Sequence, residues 1–183
     1  AIFTQPTSLK PLPKSRIIKR NGESIGFIGV SPLDFNNLSH SLTERKQIIS
    51  VLPLDETVEI VKDEVKKLES QGVNKIFLLA HTGNNNKITN QDFYKTFSKI
   101  GGIDVIVGGH DHFETDRWEV SERGENVKIV ATGKSDTHTF GQNLDYIGVL
   151  NLEFDNNGRL IKEKCNNGIY YLEKSKEKSP WTF

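Results

Sequence analysis

The chain has 183 residues, of which 35% are hydrophobic and 26% charged, and its 24 basic side chains balance its 24 acidic ones. These proportions are typical of a globular protein, and without a basic surplus we expect no nucleic-acid polymer as partner. No run of about 18 apolar residues is present, so no membrane span is expected. A single cysteine, Cys165, excludes an internal disulfide.

The first half of the chain predicts a strand pair followed by a helix. Residues 16–30 contain two strand-like runs joined by Asn21 and Gly22, which together are a strong hairpin signal. A helix is predicted over 54–71, because apolar residues recur there at helical spacing, and Asp55 is the expected N-cap.

The middle of the chain alternates strands with helices. Continuous apolar runs at 74–80 and 103–109 are typical of strands buried on both faces, and the apolar spacing of 90–100 predicts a helix between them. This order favours a parallel sheet with right-handed crossovers. The later runs, 127–133 and 146–154, have no helix between them and predict an antiparallel edge or a second sheet.

Three of the five histidines directly follow the two buried strands. His81 begins the sequence HTG after the first strand, and His110 and His112 form HDH after the second. Because open α/β sheets bind ligands at the carboxyl ends of their strands, these imidazoles are expected to lie together. Imidazole is a common ligand for zinc and similar ions, and Gly83 and Gly109 allow close approach. The pattern predicts a metal site, although an ordinary hydrogen-bonded strand-end histidine also fits each position.

The other two histidines are weaker candidates. His40 lies in a polar loop, where a solvated surface position is the simpler interpretation. His138 forms an Asp-x-His pair with Asp136, which a metal could use, but the surrounding Ser, Asp and Thr residues also suit an ordinary turn. The sequence contains neither a Gly-x-Ser-x-Gly nucleophile motif nor a phosphate-binding glycine-rich loop with its lysine. No catalytic residue is therefore predicted within this chain.

Four stretches of the chain, taken in order, resemble the second half of a metallophosphoesterase (calcineurin-like) domain of the 5′-nucleotidase and cyclic phosphodiesterase branch. They are NGESIGFIGV, IFLLAHTG, IDVIVGGHDHF and YIGVLNLEFDNNGRL. The resemblance implies an α/β fold that is half of a four-layer α/β/β/α sandwich, with a mixed sheet whose parallel strand–helix–strand core is followed by antiparallel strands. It also implies that residues 1–165 are the C-terminal part of that domain and that 166–183 are a tail or the start of a linker.

The resemblance further implies two divalent metal ions, zinc, manganese or similar, between the two sheets. By position, His81 and His110 resemble ligands of one ion, and His112 resembles a ligand of the other. Such ion pairs promote in-line attack on phosphorus without a covalent protein intermediate. The implied function is metal-dependent hydrolysis of a small phosphoester, such as a nucleotide, at a periplasmic or extracellular location.

The sequence departs from the family pattern because the motifs of the domain's first half are missing. Its Asp-x-His, at Asp136 and His138, lies downstream of GGHDH, so we interpret it as coincidence, with a permuted domain as the alternative. Because methionine is also absent, even from position 1, we expect a fragment that is inactive without a missing N-terminal half or a companion chain. Such a half-domain should expose an apolar sheet face or form an oligomer.

Two alternatives to the hydrolase fragment remain open. The first is a non-catalytic binding or structural module in which the three histidines form a single closed zinc site, completed by Asp111 or Asp136. The second is a metal-free α/β interaction module. Stoichiometry separates the first alternative from the hydrolase, because one tightly held zinc per chain supports the closed site.

Overall fold

The computed structural model describes residues 12–33, 51–83, 92–111, 113–132 and 145–172. In the described part of the chain, no helix is long and apolar enough to cross a membrane. In chain order the elements are β1 (Ser15–Arg20), β2 (Glu23–Val30), α1 (Leu54–Ser70), β3 (Ile76–Ala80), α2 (Phe93–Ser98), β4 (Val105–Gly108), β5 (Glu114–Val120), β6 (Asn126–Thr132), β7 (Asp145–Asn151), a 3-10 turn (Lys162–Lys164) and β8 (Asn166–Leu172).

Six of the strands form one mixed sheet in the order β1-β2-β3-β4-β6-β5. Strands β2, β3, β4 and β6 are parallel to one another. Strand β1 pairs antiparallel with β2, and β5 pairs antiparallel with β6, so these two strands form the outer edges. This parallel core with antiparallel additions confirms the predicted fold class.

The predicted hairpin and first helix are both present. Asn21 and Gly22 have φ values of 48° and 82°, the left-handed conformations that a two-residue type I′ turn requires. The start of α1 differs from the prediction, because Pro53 is the N-cap and makes no side-chain cap bond. Asp55 lies instead in the first turn, where its negative charge favours the positive end of the helix dipole.

The core lies between the sheet and its helices. A row of large aliphatic side chains crosses the four parallel strands in register, and each member is at most 2% exposed: Ile28, Leu78, Ile106 and Ile129. The buried stripe of α1 packs on this face. Burial of such side chains is the main driving force for folding, so this row anchors the strands whose ends carry the histidines.

In the part of the chain that the structure describes, the opposite face of the sheet is open towards the carboxyl ends of the strands. In the neighbouring row, Leu79 is paired with Val107, and their exposed fractions are 45% and 36%. The prediction that 74–80 and 103–109 are buried on both faces is therefore wrong for these two positions. The described residues leave these two side chains partly uncovered at the carboxyl end of the sheet, whereas Phe154 contacts Lys75, just before the other end of β3.

The later strands differ from the prediction in one respect. The run at 127–133 forms β6, which lies inside the sheet and parallel to β4, so its expected antiparallel edge position is wrong. The edge is β5, which the sequence pattern does not predict, and the chain returns from it through a hairpin. Strands β7 and β8 form a separate two-stranded sheet, as the second-sheet alternative predicts. Residues 166–172, which lack a clear strand pattern, form β8.

Candidate metal centre

His81 lies directly after β3 at the carboxyl edge of the sheet. Its backbone N–H donates to the carbonyl oxygen of Val30 at 3.0 Å, which continues the pairing of β2 and β3 by one residue. The backbone at this position is therefore held by the sheet, while the side chain is exposed. A strand end of this kind presents an imidazole to a ligand on a rigid support.

His110 follows β4 after one intervening glycine, and its backbone is strained. Its φ of 93° lies in the left-handed region, which residues with a Cβ rarely adopt. Such conformations persist only where the surroundings hold them, and they cluster at functional sites. The half-buried side chain points to the same edge of the sheet as His81.

The structure brings these two histidines together. Their imidazole rings are arranged edge to face, with centroids 5.2 Å apart. The proximity expected from their positions after neighbouring strands is thus present for His81 and His110. Their role as metal ligands stays a prediction.

Two glycines make this approach possible. A Cβ built on Gly109 would lie only 2.9 Å from Nδ1 of His81, so the imidazole packs against bare backbone. Gly83, with a φ of 77°, turns the chain after His81 and donates its N–H to the carbonyl oxygen of Gly109 at 2.9 Å. A Cβ on Gly83 would contact Asp111 at 3.4 Å, so the loops after β3 and β4 lie side by side.

Tyr94, on α2, contacts the same turn from the core side. It is fully buried, and its hydroxyl donates to the carbonyl oxygen of Gly109 at 3.0 Å and accepts from the N–H of Gly109 at 2.9 Å. Burial raises the pKa of Tyr94 to about 12, so the phenol remains protonated at neutral pH. The helix predicted over 90–100 is present as the shorter α2, Phe93–Ser98. The apolar spacing in this segment predicts which side chains are buried, but it does not indicate a hydrogen bond from Tyr94 to the turn after β4.

The described residues do not form a complete metal site. Two imidazoles suit zinc, manganese and similar ions, but each such ion needs about four ligands. Within the described ranges, no group of three or more His, Cys, Asp or Glu side chains could hold a metal ion. Four candidate residues predicted or weighed from the sequence lie outside the described residues: His40, His112, Asp136 and His138.

Relatives of known activity match most of this chain, although no protein-family profile matches it. A trifunctional nucleotide phosphoesterase of Bacillus subtilis is 29% identical over 161 residues, which are 87% of this chain and 10% of that protein. A snake venom 5′-nucleotidase of Naja atra is 27% identical over 180 residues, 90% of this chain and 30% of the relative. The human 5′-nucleotidase is 27% identical over 167 residues, 82% of this chain and 25% of the relative.

Solved structures share the fold. A 5′-nucleotidase precursor of Thermus thermophilus superimposes with a TM-score of 0.65 at 21% identity, covering 87% of this chain and 30% of that one. The NAD nucleotidase of Haemophilus influenzae gives 0.55 at 19% identity, covering 80% and 28%. The sequence and the fold of this chain are therefore both similar to those of 5′-nucleotidases. This similarity confirms the resemblance predicted from the sequence. The chain spans 10% to 30% of the length of these relatives.

Proposed function

We propose that this chain forms one side of the active centre of a metal-dependent phosphoester hydrolase of the 5′-nucleotidase type. The observation that carries the proposal is the pair of imidazoles, 5.2 Å apart, at the ends of adjacent parallel strands. A nucleotide is the proposed substrate, supported by relatives named as nucleotide phosphoesterase and 5′-nucleotidase. An exported location belongs to the same proposal, with the venom origin of one relative as its support.

In this proposal His81 and His110 hold one divalent ion, and His112 holds a second one by its resemblance to the family pattern. When bound, such ions neutralise the negative charge that develops on a phosphoryl group during hydrolysis. The chain's own residues orient the ligands and leave room beside them, because Gly83 and Gly109 present backbone without side chains. We assign no acid, base or nucleophile to this chain.

The remaining ligands are proposed to come from another segment, either an N-terminal half of the domain or a companion chain. The open sheet face supports this, because exposed Leu79 lies two residues before His81 and exposed Val107 three residues before His110. A segment that covers these two side chains would also bring its own groups to the edge with the histidines. Two sheets packed face to face in this way bury both apolar surfaces.

Zinc titration of the full chain tests the proposal. We expect weak binding by the parent chain and loss of binding in His81→Ala and His110→Ala, whereas the control His40→Ala keeps the parent affinity. A nucleoside 5′-monophosphate should not be hydrolysed until the covering segment is added. Undiminished zinc binding by His110→Ala, or turnover by the purified chain alone, would contradict the proposal. One tightly held zinc per chain would instead favour the closed structural site.

A further inference from the structure

We propose that Tyr94 is a positioning residue that sets the orientation of His110 through the backbone of Gly109. The inference rests on the proposed function, since orientation of His110 matters for the metal centre only if this imidazole is a ligand. Tyr94 touches neither the metal nor the substrate in this proposal and acts through the turn alone.

Gly109 is the junction of three segments. Its carbonyl oxygen accepts from the Tyr94 hydroxyl of α2 at 3.0 Å and from the N–H of Gly83 after β3 at 2.9 Å. Its N–H donates to the same Tyr94 hydroxyl at 2.9 Å. Both polar groups of one residue are therefore bonded to a single phenol oxygen, which restrains the position and the rotation of this backbone unit.

The restrained unit leads directly into the strained histidine. The Gly109 carbonyl belongs to the peptide plane that precedes His110, and the orientation of that plane determines the φ of His110. This φ is 93°, which is unfavourable for a residue with a Cβ and persists only when neighbouring groups hold it. Two donors on the carbonyl, one of them Tyr94, supply that restraint.

The phenol of Tyr94 is also closely packed against strand β4. A Cβ on Gly108 would collide with Oη of Tyr94, so the hydroxyl lies directly against the last residue of β4. The side chain is 0% exposed, which leaves no solvent to replace its two bonds to Gly109. Loss of the hydroxyl would therefore leave the Gly109 N–H without this partner and loosen the turn.

The variant Tyr94→Phe tests the inference, with Thr96→Val as a matched control. The Thr96 hydroxyl donates to the carbonyl oxygen of Asp92, the N-cap of the same helix, so the control removes one hydroxyl from α2 without touching the turn. In the full chain we expect Tyr94→Phe to move the Gly109 amide and His110 imidazole NMR signals. Its zinc affinity, measured by chelator competition, should fall about tenfold, in the range for groups that orient metal ligands. Thr96→Val should change neither readout.

The outcomes separate this inference from the proposed function. Identical Gly109 and His110 signals in Tyr94→Phe and the parent would overturn the positioning role. If the parent binds no zinc, the proposed function fails for this chain, and the NMR comparison still decides the role of Tyr94. If Tyr94→Phe does not fold, hydrogen exchange of the Gly109 amide in the parent decides. Slow exchange supports the Tyr94–Gly109 clamp, meaning the two hydrogen bonds between the phenol and the Gly109 backbone, and exchange as fast as in an exposed loop refutes it.

Discussion

Asp104 is a buried carboxyl whose ionisation should limit the stability of the sheet at neutral pH. It lies just before β4, is 8% exposed, and accepts a hydrogen bond from the N–H of Ile76 at 2.7 Å. Burial raises the pKa of Asp104 to about 7, against the opposing effect of the Ile76 bond. The nearby negative charge of Glu125 also raises this pKa, and Lys75 lowers it.

The raised pKa sets the sign and the pH window. In the unfolded chain an aspartate titrates near pKa 3.9, so between about pH 4 and 7 the folded state retains a proton that the unfolded state has lost. The free energy of unfolding therefore falls as the pH rises through this window, by about 1.4 kcal/mol per pH unit. The stabilisation by the protonated carboxyl is fully present below pH 4 and is lost above pH 7. The free energy of unfolding falls by a total of about 4 kcal/mol over this window.

The variant Asp104→Asn isolates this effect, because its amide oxygen can still accept from Ile76 while the group no longer titrates. We expect the variant to gain about 3 kcal/mol over the parent between pH 5 and pH 8, measured by urea unfolding followed by circular dichroism. Asp63→Asn, at an exposed position on α1, is the control and should keep the parent's pH dependence. A constant difference between Asp104→Asn and the parent from pH 5 to 8 would refute the reasoning.

Three further predictions concern the centre, the open face and the core. Gly109→Ala places a Cβ 2.9 Å from the His81 ring, so zinc affinity by chelator competition should fall about tenfold; an unchanged affinity would count against the centre. Leu79 is 45% exposed, so Leu79→Lys should change the free energy of unfolding in urea by less than about 0.5 kcal/mol. The same variant should abolish association through the open face, measured by sedimentation. A parent chain that is monomeric both on its own and with the covering segment would contradict this. Phe97→Ala, at 0% exposure, should cost about 3–5 kcal/mol in urea unfolding, and a loss under about 1 kcal/mol would show that α2 is not packed as described.

The parallel core and the meeting of two histidines could be predicted because their signals are local. Two apolar runs indicate the strands, and the histidines that follow them, His81 and His110, mark the strand ends. The helix between the two strands indicates that they pair in parallel. The hairpin at Asn21 and Gly22 is equally local, since the turn geometry requires residues that tolerate positive φ.

The features that were missed depend on contacts between distant residues. Strand β5 carries charged side chains around Trp118, and it becomes a strand through its pairing with β6. The Tyr94–Gly109 clamp joins a helix to a turn 15 residues away and leaves no periodic trace. The apolar runs predict that Leu79 and Val107 are buried, yet the described residues leave both side chains exposed. The covering segment of the proposed function would bury them.

The charged outer strands determine how two copies of this sheet can meet. Unpaired strand edges invite further strands, and proteins discourage this with charge at the edge. Among the described strands, β1 carries Arg16, Lys19 and Arg20 at one edge, and β5 carries Glu114 and Asp116 at the other. The open face exposes the apolar side chains of Leu79 and Val107, and their burial favours stacking of two sheets about 10 Å apart. Pairing of like edges, β1 with β1 or β5 with β5, is opposed by their charge, so two copies are expected to associate through the apolar side chains of the open face.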